Sequence, residues 1–172
     1  SKFKNADKDK VCGMSGDLAN METLYIFKEF FNKTLGSYNV ESRSDHTYLN
    51  PEKRENYLFN STIKGIEEAD FILLIGSNPR YEATILNARI RKAYLQNKTK
   101  IISLNDVGDL TYPYDCLDGN VENIKKITED KHAISKLIKD AKKPLIIFGQ
   151  SALKAKSAKY IFESVKSFLE KN

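Results

Sequence analysis

Residues 70 to 95 read Asp-Phe-Ile-Leu-Leu-Ile-Gly-Ser-Asn-Pro-Arg-Tyr-Glu-Ala-Thr-Ile-Leu-Asn-Ala-Arg-Ile-Arg-Lys-Ala-Tyr-Leu, and their reading decides the fold. Phe71 to Ile75 form an unbroken apolar run of strand length. Gly76-Ser77-Asn78-Pro79 then breaks it. Such a run between turn residues reads as a strand covered on both faces. The Asn78-Pro79 step is a helix-start signal, because Asn can cap exposed amides and Pro supplies a ready-made φ. Ala83, Leu86, Ile90 and Ala93 follow at helical spacing, so a helix is expected over about residues 82 to 96. Strand, short loop and helix in this order is the junction at which open α/β sheets bind ligands.

Working outward, the same alternation recurs. On the N-terminal side, Lys10 to Gly16 reads as a first strand running into a turn. Asp17 is placed to cap a helix from Leu18 to Leu35, with Met21, Leu24, Phe27, Phe31 and Leu35 as its apolar stripe and Gly36 as its C-cap. Tyr38 to Glu41 reads as a short second strand, and residues 42 to 56 as a polar loop. Tyr57 to Glu68 is expected to be a short helix with Leu58, Phe59, Ile63 and Ile66 inward. On the C-terminal side come a strand from Ile101 to Leu104, an irregular stretch from Asn105 to Asp118, and helices over about 121 to 128 and 131 to 141. Leu145 to Phe148 is a buried strand, Ser151 an N-cap, and the last helix buries Ala158, Ile161, Phe162, Val165 and Leu169. Strands alternating with helices in this way specify an α/β, Rossmann-like, doubly wound, mainly parallel sheet of about five strands with helices on both faces, spanning 1 to 172 as a single domain.

Composition narrows the function. Of 172 residues, 41% are hydrophobic and 30% charged, which excludes a disordered chain. The apolar runs are far too short to span a bilayer, so no direct membrane insertion is expected. The net charge of +5 is scattered rather than gathered into a basic tract, which argues against nucleic acid as a partner. Cys12 and Cys116 are the two cysteines, 104 positions apart, with no CxxC pair and no neighbouring His, so neither an iron–sulfur cluster nor zinc is expected here. The first residue is not Met, which reads as an excised piece of a longer chain.

Several side chains have two readings each. His46 and His132 lie in loops or at helix starts with no compact ligand set. Asp70 sits where it would cap or solvate the start of a strand. Asp106, Asp109 and Asp115, in the loop after Ile101–Leu104, are a Mg²⁺ set or ordinary turn-formers. Arg80 is near enough to the Gly76–Pro79 turn to meet a phosphate at a helix N-terminus. The alternative for Arg80, Arg89, Arg91 and Lys92 is a helix surface pairing with Glu82 or another protein. No nucleophile–base–acid set and no P-loop lysine is present.

The segments 57 to 70, Ile75 to Ala83, Leu86 to Lys92, Asp109 to Asp115 and Ala141 to Gly149 with Ser151 to Leu153, taken in order, resemble the 75 kDa subunit family of NADH-quinone oxidoreductase (respiratory complex I), in its bacterial and mitochondrial forms. The resemblance runs from about Val11 to Leu169. It implies a fragment of that subunit's C-terminal region, which has the molybdopterin oxidoreductase fold, with the 2Fe-2S and 4Fe-4S clusters in an N-terminal part outside this chain. Gly76, Ser77, Asn78, Pro79 and Arg80 match the turn that holds the nucleotide portion of the cofactor in true molybdopterin enzymes. In the complex I family that turn is expected to be vestigial. The resemblance thus implies a non-catalytic scaffold and subunit interface with no cofactor or metal of its own. Its partners would be other peripheral-arm subunits, on the cytoplasmic side of a bacterial inner membrane or the matrix side of a mitochondrial one. The alternative is a domain binding a molybdopterin or nucleotide cofactor.

Overall fold

The computed structural model describes residues 2–16, 18–42 and 45–171. By its contacts the chain divides into two compact units, residues 1–47 and 48–172.

In the first unit, β1 (Gly13–Met14) pairs in parallel with β2 (Val40–Glu41). The helix between them starts later than expected and ends as expected, at Leu35 with Gly36 as its C-cap. It starts as α1 (Met21–Glu29) with Asn20 as N-cap, whose side chain accepts the Thr23 N–H at 2.8 Å. Asp17, the expected cap, lies outside the described residues. Beyond Glu29 the helix widens into a π turn over Phe30–Leu35, ended by Gly36 at φ 69°. Phe27 and Phe31 pack there with tilted rings, their centroids 4.7 Å apart. Phe31 is buried, whereas Met21, expected inward, is exposed. Gly13 lies beneath those rings, and a Cβ there would lie 2.5 Å from Phe31 Cζ, so the rings would have to shift.

The second unit carries the parallel α/β architecture read from the sequence. β3 (Phe71–Ile75), β4 (Lys100–Leu104), β5 (Asp115–Leu117) and β6 (Pro144–Phe148) form one parallel sheet in the order β5-β4-β3-β6. The strands thus divide between two sheets rather than forming one of about five, and β5 was hidden in the stretch read as irregular. Every residue of β3 is buried, and its side chains alternate between two cores. Phe71, Leu73 and Ile75 pack with α4 (Val121–Thr128), α5 (Ala133–Asp140) and α7 (Ala158–Lys171). Ile72 and Leu74 pack on the other face with Ile90 of α3 (Thr84–Asn97), Ile66 and Leu110. A central strand that alternates yet is apolar throughout is what a sheet covered on both faces requires.

Residues 57 to 68 do not form the expected helix. A 3₁₀ turn occupies Gly65–Glu68, and only Ile66 of the expected apolar set is buried, while Leu58, Phe59 and Ile63 are exposed. Asn60, Ser61 and Thr62 compete for backbone hydrogen bonds. Thr62 takes φ 59° and its hydroxyl accepts the Gly65 N–H at 3.0 Å, a conformation no helix tolerates.

Asp70 joins two strands rather than capping one. Its carboxylate accepts the N–H groups of Lys142 at 2.7 Å and Lys143 at 3.0 Å, just before β6. Partial burial pushes its pKa up, but those two donors and its own N–H outweigh burial and hold it below the usual carboxylate value. A depressed folded-state pKa stabilises above the unfolded value near pH 3.9 and is lost as pH falls through the folded one. The stability difference between wild type and Asp70→Ala is therefore expected to be constant near neutrality and to shrink in acid below about pH 4, as read by urea midpoints across pH. A pH-independent difference would show that the carboxylate's charge has no part in joining these strands.

Candidate functional site

Sheet order places the switch point between β3 and β6, where the chain begins winding in the opposite direction. The loops leaving these strands at their C-terminal ends are Gly76–Asn78 and Gly149. They meet directly. The Gly149 N–H donates to Ile75 O at 2.8 Å. A Cβ on Gly149 would lie 2.1 Å from Gly76 O, so only glycine fits. Gly76 adopts φ 61°, and a Cβ on it would lie 2.5 Å from the Ala152 N. α6 (Gln150–Lys154) begins here, with Gly149 as its N-cap in place of the expected Ser151. Ser151 instead donates its hydroxyl to Gly76 O at 2.6 Å, sealing the two loops together. Glycine after each apolar strand was the available signal for this contact.

The rest of the turn faces inward. Ser77 is 6% exposed, and Pro79 opens the short α2 (Pro79–Glu82) as one of the most buried residues of the chain. Asn78 makes no capping bond with its side chain. Its N–H donates to Glu82 Oε1 at 2.8 Å, while its Nδ2 donates to Val107 O at 2.9 Å. That carbonyl fixes the amide orientation and leaves Asn78 Oδ1 as a buried acceptor without a partner. Arg80 donates from one guanidinium nitrogen to both the carbonyl and the carboxylate of Asp109, each at 2.7 Å.

The three loop aspartates are separately engaged. Asp106 accepts from the Gly108 N–H and the Tyr114 hydroxyl, in that order of effect, which holds its pKa low. Asp109 is held low by the Thr111 N–H and then by Arg80. Asp115 pairs with Lys100. These are turn and ion-pair roles, and among the described residues no three His, Cys, Asp or Glu side chains gather to hold a metal. His132 caps α5 through Nδ1, which accepts the Ile134 N–H at 3.2 Å; His46 is exposed in a loop at φ 55°. Cys12 and Cys116 are free and exposed. On α3, Arg89 and Lys92 both pair with Glu67, not Glu82, and Arg91 donates to Thr111 O at 3.3 Å. Neither local spacing nor composition could announce these partners.

The molybdopterin oxidoreductase family model matches residues 1–172. The chain belongs to that family. Among curated relatives, the NADH-ubiquinone oxidoreductase 75 kDa subunit of Reclinomonas americana is 34% identical over 95% of this chain and 26% of its own length. The 78 kDa subunits of the mitochondrial enzyme are 36% identical in Neurospora crassa and 35% in Candida albicans, over 98% of this chain and 23% of theirs. The chain thus spans about a quarter of the length of the relatives it matches.

Membership in this family raises the question of its cofactor, and the polar groups at the switch point are largely engaged within the chain itself. A pterin dinucleotide brings phosphates that need unpaired donors and room for close approach. Here Gly76 and Gly149 are in close contact, and the Arg80 guanidinium already faces a carboxylate. The orphan atom of Asn78 is an acceptor, the wrong polarity for an anion. Two cysteines likewise cannot supply the four thiolates of a cluster.

Proposed function

We propose that this chain is the scaffold-and-interface portion of an NADH-quinone oxidoreductase subunit. The parent subunit passes electrons from NADH towards quinone through 2Fe-2S and 4Fe-4S clusters held outside these residues. The observation that supports the reading is the closed switch point, where Gly149 lies against Gly76, Ser151 donates to Gly76 O and Arg80 pairs with Asp109. The names of the relatives supply the enzyme. Gly76, Ser77, Asn78, Pro79 and Arg80 then serve as a turn kept for folding, with no bond-making chemistry. Its partners are other peripheral-arm subunits, and the exposed Tyr81, Ile85 and Leu95 beside the α3 cations offer them an apolar contact. The parent lies on the cytoplasmic side of a bacterial inner membrane, or the matrix side in a mitochondrion. Among the described residues no helix is long and apolar enough to cross a membrane, which accords with an extrinsic position.

The test uses Arg80→Ala in the full-length subunit within its complex. NADH-quinone activity of assembled complex is expected to be unchanged, with little movement in melting temperature, because an exposed ion pair contributes little. Metal analysis and nucleotide release are expected to find no stoichiometric molybdenum or guanine nucleotide in wild type. Their presence in wild type and selective loss from the variant would establish the cofactor-binding alternative instead.

A further inference from the structure

β6 is the edge strand of the four-stranded sheet, and a groove runs along its open side. Along a strand, the N–H and C=O of successive residues point alternately to either side. The Gly149 N–H reaches Ile75 O, so Leu145 and Ile147 share that direction towards β3. Ile146 and Phe148 therefore present their N–H and C=O groups to the groove. Pro144 belongs to the same outward set, and its missing donor falls where β3 does not need it. The groove holds about 520 Å³. Its floor is Leu145 to Phe148, one wall is Leu58 and Phe59, and the other is Phe162 and Leu169 of α7. Lys166 on α7 ties the walls together by donating to Asn56 Oδ1 at 2.8 Å.

The winding of the sheet states what belongs there. From β3 the chain crosses through α3, on one face, to β4 on one side. α7 follows β6 on the opposite face, where Ile161, Val165 and Phe168 pack in the core that carries Ile146 and Phe148. Parallel crossovers are right-handed. A crossover on the opposite face must therefore move in the opposite direction, away from β3 and onto the open edge of β6. The relatives are about four times as long as this chain, so they hold much polypeptide outside the matched stretch.

We propose that the groove seats a fifth strand, parallel to β6 and mainly apolar, supplied by polypeptide that follows α7 in the longer chain. Its backbone pairs with Ile146 and Phe148, and its side chains alternate between the α7 wall and the Leu58–Phe59 wall. This accounts for the three half-exposed apolar residues Tyr57, Leu58 and Phe59, which the fold otherwise leaves without a purpose. The proposal is independent of any electron-transfer role of the parent and would survive the failure of that reading.

The experiment places the photo-reactive p-benzoylphenylalanine at Phe59 in the full-length protein and maps the adducts by mass spectrometry. Intramolecular adducts to one apolar run beyond residue 172, with a yield unaffected by dilution, are the expected result. A dimer-mass adduct that fades on dilution would assign the groove to a second copy. An adduct to another subunit would assign it to a different protein, and adducts confined to residues 1–172 would leave no room for the strand; each overturns the proposal. Hydrogen exchange on the unmodified full-length protein supplies a second reading. The Ile146 and Phe148 amides are expected to exchange at least ~100-fold more slowly than in an unstructured peptide, and rates near the peptide value would overturn it as well.

Discussion

Gly149→Ala is expected to destabilise the protein by about 3 kcal/mol or more, an overpacking cost at the upper end of its range. The new Cβ would lie 2.1 Å from Gly76 O and 2.3 Å from Ser77 Cα, both backbone atoms, so no side-chain rotation relieves the clash. Relief would require β3 and β6 to separate at the ends where Gly149 is bonded to Ile75. Gly76→Ala meets the same obstacle through the Ala152 backbone, and its left-handed φ of 61° adds about 1 kcal/mol of strain. Two other glycines calibrate the result. Gly119→Ala would meet the Asn105 side-chain amide, which can turn away, and Gly16→Ala would meet nothing within 4 Å. Urea midpoints should therefore rank Gly16→Ala near wild type, Gly119→Ala lower, and Gly149→Ala and Gly76→Ala lowest. If Gly149→Ala unfolded alongside Gly16→Ala, the closed switch point, and with it the case against a cofactor there, would fall.

The parts of the fold legible in the sequence were those whose burial leaves a local pattern. Phe71–Ile75 is apolar at every position because helices cover both faces of the sheet, and α4 and α5 show their buried isoleucines three and four residues apart. Where the determinant was a turn or a distant partner, the pattern misled. Leu58, Phe59, Ile63 and Ile66 have helical spacing, but Thr62 at φ 59° breaks the segment, and Leu58 and Phe59 line a groove instead. β5 is three residues long and begins with Asp115 and Cys116, so it carries no apolar run; it exists because β4 offers an edge to pair with. The turn at Gly76–Pro79 was correctly placed, yet its chemistry depends on Asp109, Val107 and Ser151, which lie 29 to 75 positions from their partners. Hydrogen bonds across such separations leave no periodic trace. The pattern of residues thus marks where the turn lies, and only the packing shows which distant groups it meets.

Asn87→Ala is expected to cost about 2–4 kcal/mol, since it strands two buried polar groups at once. Asn87 sits in the first turn of α3 at 6% exposure, a polar residue where the apolar stripe would have placed another alanine or leucine. Its Nδ2 donates to Leu110 O at 3.1 Å and its Oδ1 accepts the Tyr112 hydroxyl at 2.8 Å. Leu110 is fully buried, so water cannot replace the lost donor. Burial, then the proximity of Tyr114, pushes the Tyr112 hydroxyl far above its ordinary pKa, so it remains a donor throughout the accessible pH range. Tyr112→Phe removes that donor but leaves Asn87 Oδ1 unpaired, and a cost of about 1–2 kcal/mol is expected. Because both variants break one network, the double variant Asn87→Ala/Tyr112→Phe should cost clearly less than the two added together. The same network fixes the loop that carries Asp109 to Arg80, so Asn87→Ala should also speed proteolytic cleavage within residues 105–114. Additive costs in the cycle, or an Asn87→Ala midpoint indistinguishable from wild type, would mean that the loop is held by its apolar contacts alone. In that case the Arg80–Asp109 contact would be incidental to the fold, and the turn after β3 would be free to offer its guanidinium to a ligand.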